Sequence, residues 1–529
     1  MKNIIKMVLC FFLFLMLFGC NKETEIEMDP DTDNMAEQEI IDEYDEEDLK
    51  DLESIYDPNG GYGKFSAPYK AYRNFAVKQL MYSYNENDNE IVSPLSLYYA
   101  MAILTNGASG KTRKQLENAL GMNVQDLNNF LKDLEVQDFR FDPQYEKANA
   151  VWFNTADGLK LKGSFKETVQ EYYGDNIYEY DFKDGTTVVN EANSWANEKT
   201  HGAIQEIVND SDIDESAAFL ILNALALGQE WMYKFDSSQT FYEEFNNRDN
   251  SKGIVEMMHQ TFVGYWHDDK AQGFSKELFN NAEFVGIIPN LGVDIYDYIN
   301  TMDGDTLKRF FESYIDYDNV ETNDSGCIAD RHITNLSFPK FKYEKEYDLE
   351  IPFKKYGLID LFDPSTCDFS EMADGDQSLI DTLYLKFAKQ KCSIEVDEEK
   401  VVAAAVTAIG GGKGGDGCTI REYVYHDIIF DRPFIYALMT NSEKPLFIGV
   451  VTKLGEPVEK AFQIQNITGK INIRSLPSTS GEKLGTYEKG KIIYAFETKE
   501  AEGYTWYRIG TDKWVADKNK EWIKTLDAQ

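Results

Sequence analysis

The sequence predicts a multidomain chain: a large domain that mixes helices and strands, a small all-β barrel behind it, and a short apolar leader and acidic tether in front. Three observations predict this. The 529 residues are too many for one ordinary core. Helical and strand-type apolar patterns interleave from about Tyr69 to Pro457. After Phe462 the pattern changes to short alternating segments divided by glycines, which is how a small barrel reads. Apolar residues make up 43% and aromatics 14%, enough for a large core. The net charge is -39, from 92 acidic and 53 basic residues. So negative a chain repels phosphate backbones and anionic lipid, so no nucleic-acid partner is expected and membrane association requires a covalent anchor.

The leader supplies a candidate anchor. Lys2 and Lys6 precede an unbroken apolar run from Met7 to Phe18. That run has the length of a signal-peptide core and falls short of the roughly 20 residues that span a bilayer. It ends in Leu17-Phe18-Gly19-Cys20, which resembles the bacterial lipobox, although Phe18 is bulkier than the usual residue there. The resemblance implies a signal peptide over residues 1–19 and lipid attachment at Cys20. An ordinary signal peptide with an incidental cysteine is the alternative; the placement of Cys20 where polarity begins favours lipidation. Several acyl chains, at roughly 0.8 kcal/mol per buried CH₂, anchor stably. Residues 20–60 read as a disordered tether, because the densely acidic stretch Asp29 to Glu53 cannot bury enough surface to offset its ordering entropy. No calcium loop with ligand spacing is visible in it. An acidic stretch after the lipidated cysteine also resembles surface-export signals of Bacteroidetes-type lipoproteins. The implied location is a bacterial cell envelope, on the outer membrane and surface-exposed.

In the large domain, Tyr72 to Met81 has helical apolar spacing, Leu95 to Leu104 reads as a strongly apolar helix, and Thr112 to Leu120 as a shorter amphipathic one. Ala217 to Leu227 suits a buried strand. Once the leader is removed and Cys20 lipidated, Cys327, Cys367, Cys392 and Cys418 remain. They allow up to two disulfides by three pairings, fit no zinc spacing, and read as unpaired or opportunistically paired. The five histidines, His201, His259, His267, His332 and His426, sit in no catalytic motif. There is no Gly-x-Ser-x-Gly elbow, His-Glu-x-x-His pair or phosphate loop. The chain is therefore not expected to be an enzyme, and no cofactor or metal is expected.

Several separated segments resemble one family in its own order. They are Asn89 to Leu97 (Asn-Glu-Ile-Val-Ser-Pro-Leu-Ser-Leu), Gly107 to Thr112, Asn193 to Ala196 with Thr200 to Ile204, and Leu222-Asn223-Ala224 followed by Trp231. Pro339-Lys340-Phe341-Lys342, Asp360-Leu361-Phe362, Glu395 to Ala408, Asp431 to Phe434 and Leu446 to Gly449 complete the set. Together they resemble the serpins. The resemblance implies a domain over residues 61–458 with the α+β serpin fold, helices around a large, mostly antiparallel main sheet plus smaller sheets. It implies a suicide substrate for serine proteases, and for some cysteine proteases. The protease cleaves a reactive loop, forms an acyl-enzyme, and is deformed as the loop enters the main sheet.

The hinge that must enter is Glu398 to Thr407. In the family's register Val401, Ala403, Ala405 and Thr407 face inward, with Ala404 between them facing out. None is charged, as burial between two strands requires. Lys400 falls outward; it replaces the family's usual glycine, and Val401 its usual threonine. The alanine run also has high helix propensity, which suits an uncleaved loop. The family's spacing puts the scissile bond near Gly414, and Lys413–Gly414 suits a trypsin-like protease; Ile409 or the glycines suit elastase- or papain-like ones. Each glycine in an inserted strand costs roughly 0.5–1 kcal/mol, so Gly410 to Gly412 are expected to slow insertion. Ser93, Ser96 and Asn223 match the family's shutter residues, and Gln390 stands where its histidine is usual. Glutamine also donates and accepts, without titrating near neutral pH.

Ile471 to Ser480, Leu484-Gly485-Thr486, Lys489-Gly490, Trp506 to Ile509 and Trp514-Val515 resemble bacterial Src-homology-3-like domains. This implies such a domain over residues 459–529, a type that often binds peptidoglycan or peptides. Trp506, Tyr507 and Trp514 serve either core or groove; core is favoured for Trp514. Two readings stand beside inhibition: a non-inhibitory serpin-fold binding protein, and a cell-wall-binding lipoprotein acting through its last domain.

Overall fold

Helix α1, Ser66–Ser83, extends beyond the Tyr72–Met81 stretch at both ends and buries Tyr72, Phe75, Ala76, Gln79 and Leu80 along one stripe. The computed structural model describes residues 66–526 apart from 139–148, 400–418 and shorter gaps of one to three residues. Beyond Ser66 these belong to one compact unit, Ala67–Gln529. Helix α2, Pro94–Gly107, starts where Ser93 caps it: Ser93 Oγ accepts from the Ser96 N–H, and Pro94 takes the first turn, where its missing N–H costs nothing. Every residue of α2 except Asn106 is buried, which makes it the central helix. Helix α3, Gly110–Leu120, buries Thr112, Leu116 and Leu120 and stops at Gly121, whose φ of 75° is left-handed.

The strands that position the site are β1 (Asn149–Asn154), β2 (Ile177–Tyr180), β3 (Phe219–Ala226), β4 (Phe241–Asn246), β5 (Lys252–Val263), β6 (Gly326–Pro339), β7 (Phe341–Asp348), β8 (Ala388–Val396) and β9 (Thr419–Ile429). The main sheet has the order β7-β8-β3-β1-β2. It is mixed rather than mostly antiparallel: β7–β8 and β3–β1 run antiparallel, while β8–β3 and β1–β2 run parallel. Long connections with helices of their own make the parallel steps feasible. In a second sheet β6 pairs antiparallel with β5 and parallel with β9, and β4 pairs with β5. A third sheet holds the strands Phe434–Met439 and Pro445–Val451, buried at every residue, as suits a sheet covered on both faces.

The last part is all-β. A three-stranded and a five-stranded antiparallel sheet share one core that includes Ile464, Ile473, Ile493, Ile509 and Val515. Strands β10 (Lys483–Tyr487) and β11 (Lys513–Asp517) belong to the larger of these sheets. No helix among the described residues is long and apolar enough to cross a membrane. Cys367 and Cys392 are free thiols; burial pushes Cys367 up to about 12 and Cys392 further still, so neither is a ready nucleophile.

Candidate functional site

The seam between β8 and β3 is the centre of interest. Its register runs from Ala388 opposite Ile221 to Ser393 opposite Ala226, and β8 continues to Val396. Side chains of β8 alternate, with Ala388, Gln390, Cys392, Ile394 and Val396 buried. Glu398 follows in the same phase and is buried. The chain beyond it, 400–418, leads to β9.

A carboxylate in that position needs partners. Lys340, at the junction of β6 and β7, reaches Glu398 Oε2 at 2.8 Å and Glu256 Oε2 at 3.4 Å. Lys513, from β11 of the C-terminal part, reaches Glu398 Oε1 at 3.5 Å. Burial alone would raise the Glu398 carboxyl; the hydrogen bond and charge of Lys340, with Lys513 behind, hold it below its ordinary value instead. The backbone is fixed as well. The Phe235 N–H donates to the Glu398 carbonyl at 3.2 Å, and Trp231 Nε1 donates to the Asp397 carbonyl at 3.0 Å. Lys276 lies under this corner, its Nζ 5.4 Å from the Trp231 ring centroid and 5.0 Å from that of Phe235.

Midway along the seam a polar cluster sits in the core. Gln390 Nε2 donates to the Ser93 carbonyl at 3.0 Å, and its Oε1 accepts from the Ser93 N–H at 3.3 Å. The same Oε1 accepts from Gln79 Nε2 at 3.0 Å. Ser93 Oγ donates to the Leu446 carbonyl at 3.1 Å, and Ser96 is buried beside it. Asn223 stands opposite Gln390 in the β8–β3 register. One cluster thus joins α1, the cap of α2, β8 and the strand Pro445–Val451; Ser93, Ser96 and Gln390 meet in it, and Asn223 is placed beside it by backbone register alone.

Other expected site residues lie outside the described residues: Lys400, Val401, Ala403, Ala404, Ala405 and Thr407 of the hinge, Lys413 and Gly414 of the scissile bond, and Cys20. Sequence reasoning missed Gln79, Glu256 and Lys513. Gln79 carries a signal, a polar residue on the apolar stripe of α1. Lys513 and Glu256 carry none, since each reads as a solvated charge on an alternating strand.

The C-terminal part has an open groove of about 440 Å³ lined by Lys470, Asn472, Arg474, Tyr504, Trp506 and Trp522 among others. Tyr507 belongs to the shared core, and Trp514 is buried against Trp506 and Ala516. Of the three aromatics singled out in the sequence, Trp506 alone borders the groove; Tyr504 and Trp522 were missed. Among the described residues no cluster of histidine, cysteine and carboxylate groups is arranged to hold a metal.

A model of the serpin (serine protease inhibitor) family matches residues 70–454. The chain belongs to the serpin family. Serpin B6 of Pongo abelii is 26% identical over 335 residues, covering 61% of this chain and 84% of that one. Plasminogen activator inhibitor 1 of Neovison vison is 26% identical over 392 residues, covering 69% and 88%. Among solved structures, the thermophilic serpin tengpin in its native state matches with a TM-score of 0.62 and 28% identity, over 73% of this chain and 94% of that one. Tengpin in its latent state matches at 0.56 and 26%, over 73% and 97%. Membership points to protease inhibition rather than catalysis, and this serpin is more similar to the native than to the latent form of that relative.

Proposed function

We propose that this serpin is a suicide-substrate inhibitor of serine proteases, and of some cysteine proteases, whose loop 400–418 is the bait. The observation that carries the reading is the seam itself. β8 and β3 are paired parallel to each other, and the chain leaves β8 at Glu398. A segment that turned back after Glu398 and entered the seam would run antiparallel to both neighbours. One parallel pairing would give way to two antiparallel ones, which are slightly stronger per residue. Cutting the loop frees its distal end and makes that gain readily available; an uncut loop can take it only by pulling β9 away from β6.

In the proposed reaction the protease nucleophile attacks the Lys413 carbonyl. An ester (for a cysteine protease, a thioester) forms as the peptide bond to Gly414 breaks and Gly414 leaves as a free amine. Insertion of the hinge, with Val401, Ala403, Ala405 and Thr407 inward, then carries the acyl-enzyme away before water completes hydrolysis. Ser93, Ser96, Asn223 and Gln390 act as the shutter beneath the opening seam. The chain is anchored to a bacterial envelope through Cys20. Its C-terminal part acts as a Src-homology-3-like module, and the groove at Tyr504, Trp506 and Trp522 supports a second reading, capture of cell-wall peptide or glycan.

Incubation with a panel of trypsin-, elastase- and papain-like proteases tests the first reading. A complex that survives denaturing electrophoresis is expected with a trypsin-like member, and Lys413→Ala should abolish it. Complete cleavage between Ala408 and Cys418 with no trapped complex would instead favour the non-inhibitory binding protein, for which Lys400, Val401 and Gly410 to Gly412 are the warrants.

A further inference from the structure

The C-terminal module is docked against the corner of the serpin domain from which the loop departs. Phe241 of β4 is part of the module's own core, with Ile464, Ile473 and Ile493. Tyr242 and Ile254 pack with Tyr494 and Phe496, and Lys491 Nζ lies 3.5 Å from the Phe241 ring centroid. Around this apolar patch the polar contacts are specific. Thr511 N and Oγ1 donate to the two carboxylate oxygens of Glu256 at 2.8 and 3.0 Å. Tyr494 OH donates to Glu244. Lys513 Nζ donates to the Thr240 carbonyl at 3.3 Å and pairs with Glu398.

Lys513 is 5% exposed and Glu398 8%. A buried ammonium separated from its carboxylate is left uncompensated, and breaking such a pair is strongly destabilising. The two oxygens of Glu398 are divided between Lys340 of the serpin domain and Lys513 of the module. Glu398 is also where the chain must reverse for its continuation to enter between β8 and β3. Movement of its side chain therefore either strips Lys513 of its partner or takes the module with it.

We propose that the C-terminal module is a brake on loop insertion, holding the uninserted state through Lys513 on Glu398 and Thr511 on Glu256. The inference rests on the loop-insertion reading above. It assigns the module a task inside the molecule: keeping the inhibitor from spending itself by inserting an uncleaved loop.

Gly485 allows a clean test in the full chain. A Cβ there would lie 2.6 Å from Ser238 Cβ, and its three nearest contacts are all atoms of Ser238, across the interface. Gly485→Val is thus a wedge between module and serpin domain, and Lys513→Ala removes the charge from Glu398. The readout is the half-time, without protease, for conversion to a form that stays folded above the unfolding temperature of the intact protein. Both variants should convert about tenfold faster than the natural chain, and Lys513→Arg should stay within about twofold of it. Natural protein cleaved in the loop is the reference. If it gains no heat resistance, loop insertion itself fails and the brake with it. If it does gain heat resistance but Gly485→Val and Lys513→Ala convert no faster than the natural chain, the brake is wrong while the inhibitor reading stands.

Discussion

Gln390 shows how much one side chain must satisfy in the core. It answers both backbone groups of Ser93 and the amide of Gln79. Gln390→Ala would leave those groups buried without it, at about 1–3 kcal/mol each where unsatisfied. Denaturant titration should show a loss of about 2 kcal/mol or more. Gln390→His should keep most of the stability but make it pH-dependent near neutrality. Lys276 makes a second prediction at this scale. Burial pushes its amine from 10.5 down to about 7. Between those values the unfolded chain binds the proton and the folded one releases it, so stability rises with pH from 7 towards 10. Thermal midpoints measured from pH 7 to 9.5 should climb in the natural chain and flatten in Lys276→Met. Gln390 drew attention in the sequence because it stands where the family's histidine is usual. Lys276 was not, because nothing in Gly273-Phe274-Ser275-Lys276 marks one residue of an alternating strand as lying beneath a tryptophan.

Among the elements, β9 is joined to β6 through a pair of histidines as well as by its backbone. His426 of β9 meets His332 of β6 with Nε2 to Nδ1 at 2.7 Å, and Tyr265 stacks on His426 with centroids 3.7 Å apart. His332 Nε2 lies 3.2 Å from Asp318. Burial, then the charges of His332 and His267, hold the His426 imidazole below 6.5, with Asp318 and Asp427 opposing. A base depressed in the folded state contributes stability that is whole above about 6.5 and declines as pH falls below it. Hydrogen exchange of the β9 amides, corrected for intrinsic rates, should therefore accelerate from pH 7 to 5. His426→Phe, which keeps the ring stack, should abolish that acceleration. The elements themselves were largely legible: the Ala217–Leu227 run became β3, and the apolar helices became α1, α2 and α3. Their partners were not. Periodicity fixes which face of a strand is buried, not which strand lies beside it or in which direction. The parallel β8–β3 pairing, on which the proposed function rests, had to come from the structure.

At the scale of the whole molecule, β8 and β3 pair directly with each other, and a second, all-β part packs on the corner at Glu398. The overall charge of -39 hides this arrangement. Cations of the C-terminal part, Lys491 and Lys513, are turned inward on Phe241 and Glu398 rather than out to solvent. The family was legible from ordered segments across the chain, and the matched stretch 70–454 falls within the expected domain. The docking was not, since Phe241, Tyr242 and Tyr494 read as ordinary core residues of two separate domains. The proposed inhibition requires the seam to exchange one parallel pairing for two antiparallel ones when the loop is cut. Calorimetry of the intact protein and of the same protein cleaved between Ala408 and Cys418 tests this most directly. The unfolding midpoint should rise by at least about 10 °C on cleavage, several kcal/mol for a domain of this size. A midpoint that stays where it was, or falls, would mean that the cut loop does not enter the sheet and that the seam between β8 and β3 is merely a pairing.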